Sequence, residues 1–98
     1  MNTNFRHEHI ESANLAESRA LQPPSNAQMG TIYAVGGDLR FRLDAEAAQT
    51  DSGPVIRDSL QGGLPLIVQD SRTLARVRLC RNGTTGAPDA DIVYKCTP

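Results

Sequence analysis

Apolar residues recur at every second position in several short runs of this chain, and glycine, proline and aspartate punctuate the gaps between them. Residues 28–35 are rich in β-formers and end on the turn signal Gly36-Gly37-Asp38. Residues 39–44 then alternate strictly, with Leu39, Phe41 and Leu43 on one face and Arg40 and Arg42 on the other. This predicts a strand with Phe41 in the core and the arginines outside. A polar connection follows, in which Ala45 to Ala48 has the composition of one helical turn. Residues 54–60 and the apolar run at 64–68 predict two further short strands. Residues 73–81 repeat the alternation, with Leu74, Val77 and Leu79 apolar and Arg76, Arg78 and Arg81 outside. A turn-rich loop at 82–89 precedes a last strand at 90–96. Short strands punctuated about every 8–12 residues predict an all-β fold, a small antiparallel β-sandwich or barrel-like domain over residues 26–98.

Residues 1–25 follow a different pattern. Phe5, Ile10, Leu15, Ala16 and Ala20 lie among Glu, Arg and Ser, which is too sparse an apolar face for a stable isolated helix. Pro23-Pro24 ends any helix and forces an extended exit. The expectation is an N-terminal arm over residues 1–25, extended or partly helical, ordered only against something else.

Composition narrows the function. Ninety-eight residues suit one domain, and with four aromatics and no Trp the core must rest on Val, Ile, Leu and Ala. So thin a core favours an oligomer or docking on a larger partner. The formal net charge is −1, which argues against a free nucleic-acid binder, and no apolar run is long enough to span a membrane. No secretory leader pattern is visible, so the expectation is synthesis in a cytoplasm. In a reducing compartment Cys80 and Cys96 are expected as free thiols, and a bridge between neighbouring C-terminal strands remains open for an oxidising exterior.

Candidate chemistry is weak throughout. Gly36-Gly37-Asp38 leads into a strand rather than a helix N-terminus, and an aspartate repels phosphate, so a hairpin turn is the better reading. Arg40, Arg42, Arg76 and Arg78 could line an exposed interface face, or a solvated face balanced by Asp38, Asp44, Asp58 and Asp70. His7-x-His9 beside Glu8 and Glu11 supplies too few ligands for a metal site. Neither cysteine has a neighbouring base in sequence. No catalytic, cofactor or metal residue is assigned, and the chain is expected not to be an enzyme.

The stretch from Tyr33 to Asp70 resembles small virion-associated proteins of tailed bacteriophages. Its pattern is a small residue before Gly36-Gly37-Asp38, then Leu39, Arg40, Phe41, Arg42 and Asp44. Thr50, Gly53, Val55, Ile56, Gly63, Leu66 and Val68 continue it, and Tyr94 fits the closing strand. The resemblance covers about residues 27–94. The arm is longer and more polar than that pattern, and residues 82–89 look like an insertion. The resemblance implies a structural virion protein, made in the host cytoplasm and found on the particle. Its most favoured role is capsid decoration (cement), binding the major capsid protein through the arm and the β domain as a homo-oligomer. Phe5, Ile10 and Leu15 are the expected arm anchors. A neck, tail or baseplate component is the alternative, and a small module inhibiting a host protein is a further one.

Overall fold

The computed structural model describes residues 4–83 and 86–98. The alternating runs form two four-stranded antiparallel sheets. One sheet has the order β1 (Asn4–Ile10), β8 (Asp89–Cys96), β3 (Ala27–Val35) and β6 (Leu66–Val68). The other has the order β2 (Arg19–Ala20), β7 (Arg78–Arg81), β4 (Leu39–Arg42) and β5 (Val55–Ile56). Each strand of the first sheet has a sequence neighbour at the same rank in the second: β1 with β2, β8 with β7, β3 with β4, and β6 with β5. That is the strand order of an eight-stranded jelly roll.

The core lies between the sheets. Gly30, Ile32 and Ala34 of β3 stand opposite Tyr94, Ile92 and Ala90 of β8, on one face. Leu39 pairs across to Ile56, and Phe41 to Leu79, on the facing sheet. Leu15, Leu21, Leu74 and Val77 close the ends from the connections. Each such side chain contributes about 1.5–3 kcal/mol by leaving water. Phe41 packs against this cluster only partly buried; the largest fully buried side chain is Tyr94.

Gly30 and Gly36 shape how β3 packs and ends. Gly30 lies on the inner face, and a Cβ there would sit 2.8 Å from Leu74 Cδ2. Its absence lets α1 (Ser71–Leu74) press Leu74 against the sheet. Gly36 has φ +88°, which a side chain resists, and starts the corner from β3 into β4. Asp58 Oδ1 accepts from Gly36 N at 3.0 Å and Leu60 N at 2.9 Å, while Asp38 Oδ1 accepts from Asp58 N at 2.8 Å. The corner is therefore clamped by two carboxylates whose acceptors are met by backbone N–H groups.

Several expectations need correction. The Gly-Gly-Asp turn is not a hairpin, because β3 and β4 lie in different sheets. Ser71–Leu74 is a helical turn and not part of a strand: Asp70 Oδ1 accepts from Thr73 N at 2.6 Å and starts it. No helix forms at residues 45–48, where Ala45 has φ +67°. The largest difference concerns the arm. Within residues 4–25, β1 pairs along its whole length with β8, and β2 pairs with β7. Ile10, Leu15 and Leu21 are buried in the common core. The tie is side-chain chemistry that apolar periodicity does not register: Tyr94 Oη donates to Glu8 Oε1 at 2.5 Å. Cys80 and Cys96 are both free and buried, on different sheets.

Deleting residues 1–22 removes three core side chains and two strands. The loss of about 5–9 kcal/mol from burial alone rivals the whole stability of a small domain. The truncated chain is expected to lose cooperative unfolding and dispersed amide resonances. A separate substitution, Gly30→Ala, should lower stability by about 1–3 kcal/mol in urea denaturation, because Leu74 must shift.

Candidate functional site

The arginines of the second sheet do not act as one face. Arg40, Arg42 and Arg78 do lie on its outer side, since Arg40 pairs across to Cys80 and Arg42 to Arg78. Arg81 stands opposite Leu39, on the core side, contrary to its expected outward position. Arg76 precedes β7 and is exposed. Arg42 directly opposite Arg78 places like charges together, which is destabilising unless each has a counter-partner. Both do. Arg42 Nε donates to Asp44 Oδ1 at 3.0 Å, and this pairing holds the Asp44 carboxyl down at about 2. Arg78 donates to the carbonyls of Ala75 and Val77 at 3.3 and 3.0 Å. Arg40 donates to Asn82 Oδ1 at 2.7 Å and to the Gly53 carbonyl. Of the balancing aspartates, Asp44 serves Arg42, Asp38 meets Arg57 at 3.1 Å, and Asp58 and Asp70 hold backbone turns.

The loop after β4 folds back over this sheet. Ala45 N donates to the Arg76 carbonyl at 3.0 Å and Ala48 N to Ser18 Oγ at 2.9 Å. Ala48 and Cys80 are buried there, outside the main core cluster. Burial pushes the Cys80 thiol above its ordinary pKa, which makes it a poor nucleophile. Beside the loop, Phe41, Arg42, Leu43, Asp44 and Pro54 line an open hollow of about 450 Å³.

The outer face of the first sheet combines residues that lie far apart in the sequence. Register sets Phe5, Lys95 and Met29 in one row, then His7, Val93, Thr31 and Ile67, then His9, Asp91 and Tyr33. Phe5 and Ile67, 64% and 52% exposed, both lie on this outer face. Of the three expected arm anchors, only Phe5 is available, because Ile10 and Leu15 are buried. Asp91 Oδ1 meets His9 Nδ1 at 2.6 Å and His7 Nε2 at 3.2 Å, and His9 Nε2 lies 3.5 Å from Asp89 Oδ2. Spacing alone shows the two histidines; only the β1–β8 pairing brings the aspartates to them. Among the described residues, no group of three or more His, Cys, Asp and Glu is arranged to hold a metal ion, and no helix is long and apolar enough to cross a membrane.

Glu8, His9 and Ile10 also border a groove of about 210 Å³, with Asn14, Arg19, Ala20 and Gln22 on its other side. It is polar, open and flanked by the edge strands β1 and β2. Comparison with protein-family models, curated proteins and solved structures finds no match.

The hydrogen bond from His9 to Asp91, reinforced by the charges of Asp91, Asp89 and Glu11, raises the His9 pKa above its ordinary value. A raised folded-state pKa adds stability that is complete below the unfolded value of about 6.5 and is lost as pH rises through the folded value. In an NMR titration the His9 midpoint should exceed 6.5 and fall towards it in Asp91→Asn. A midpoint that does not move would show that the imidazole and carboxylate are not paired.

Proposed function

We propose that this chain is a non-catalytic structural protein that attaches to the particle of a tailed bacteriophage as a decoration subunit on the shell. The observation that carries the reading is the division of the molecule into a filled interior and outward-facing interaction groups. Side chains from both sheets and their connections pack the space between the sheets. Near the start of the phage-like stretch, the carboxylates of Asp38 and Asp58 are engaged in holding the Gly36-Gly37-Asp38 corner. What remains for contact is surface, chiefly the outer face of the first sheet. Jelly rolls serve in viral capsids, but also in lectins and cupins, so the architecture supports this reading only by analogy.

Attachment to the major capsid protein then runs through Phe5, Met29, Val93 and Ile67 on that face; of the expected arm anchors it keeps Phe5 and drops the buried Ile10 and Leu15. Buried apolar side chains at the centre of an interface carry most of its energy. Isolated particles provide the test. The protein should sediment with them in many copies and rebind to particles stripped of it, with Ile67→Asp at least about tenfold weaker because it places a charge in the contact. A few copies per particle would point to a neck, tail or baseplate position. Absence from particles would refute a virion role.

A further inference from the structure

Four strands form the free edges of the two sheets, and three are blunted by shortness: β2 and β5 span two residues each and β6 three. β1 is different. It runs for seven residues, contains no proline, and pairs with β8 without a bulge. Among the described residues β8 is its only strand partner. Its other edge therefore presents unpaired backbone N–H and C=O groups, a template for strand addition.

We propose that the partner for this edge is β1 of a second copy of the chain, joined antiparallel about a two-fold axis at His7. The sequence Asn-Phe-Arg-His-Glu-His-Ile selects both partner and register. An axis between two residues would set core-side positions opposite solvent-side ones, so the axis must pass through a residue. Centred on Arg6, the pairing opposes two arginines; centred on Glu8, it opposes two glutamates. Centred on His7, it sets Arg6 opposite Glu8 of the second copy, twice, and Phe5 opposite His9, twice. It also pairs all seven residues. The bonds that Glu8 receives from Tyr94 Oη and Gln22 N both use Oε1, leaving Oε2 for the arginine. Charges that would repel most foreign strands thus become complementary for a second copy. The first sheet would continue across the axis as eight strands, and its outer face would double. This inference does not depend on the phage reading, because it concerns the chain alone in solution.

Sedimentation equilibrium of the full chain tests the dimer, and cysteine cross-linking tests the register. The wild type should dimerise. Arg6→Glu turns two attractive pairs into two repulsive ones and should weaken the dimer about tenfold or more. On mild oxidation His7→Cys should form an intermolecular disulfide, because the two copies of that position face each other. His9→Cys, which would oppose Phe5, should cross-link far less. The native Cys80 and Cys96 are buried and do not compete. A wild type that stays monomeric at high concentration would overturn the proposal. So would equal cross-linking at positions 7 and 9, or a folded Arg6→Glu that dimerises as tightly as the wild type.

Discussion

The Tyr94 hydroxyl is buried and must find an acceptor, and it finds Glu8 at the other end of the chain. A buried donor left unmade costs about 1–3 kcal/mol, so this bond is a strong constraint for so small a core. Burial and the Glu8 carboxylate together push the Tyr94 phenol well above its ordinary pKa, which keeps it a donor at any physiological pH. Because Tyr94 sits at the middle of the first sheet, between β1 and β3, the same bond sets the register of β1 on β8. From that register follow the inward turn of Ile10, the meeting of His7 and His9 with Asp91, and the free edge on the far side.

Connections that cross between the sheets make the fold depend on distant contacts. β8 follows the other seven strands in sequence and lies between β1 and β3, so the first sheet cannot close until β8 has been made. Such non-local pairing folds slowly and leaves edges open while it waits. The Asp38 and Asp58 carboxylates shorten that search locally, because they hold the β3–β4 corner and the residues just after β5 as one unit.

The arginine pattern shows how a suggestive sequence feature becomes ordinary packing. Alternation correctly sends Arg40 and Arg42 outward, but each then meets an acceptor within its own sheet or loop. A guanidinium held by a neighbouring carboxylate or carbonyl offers less to a partner than its exposure suggests. On the outer face of the first sheet, by contrast, Phe5 and Ile67 stand exposed.

Alternation of apolar and polar residues made β4 and β8 legible, while β3, β5 and β6 were legible as short runs of apolar and β-forming residues bounded by turn signals. The turn at Gly36-Gly37-Asp38 was legible for a related reason, since positive φ and local carboxylate acceptors are properties of adjacent residues. Nothing local could show that β1 is a strand. Its core-side positions are Arg6, Glu8 and Ile10, which carry no apolar alternation, and their stabilising partners, Tyr94 and the segment around Gln22, lie elsewhere in the sequence. The helical turn at Ser71–Leu74 does carry a local signal, the Asp70 cap on Thr73 N, but Leu74 packs on the inner face only because Gly30 leaves room for it. Side-chain periodicity records which face meets water. Which strands share a sheet, and which charges meet across it, depends on contacts between distant residues that only the folded chain brings together.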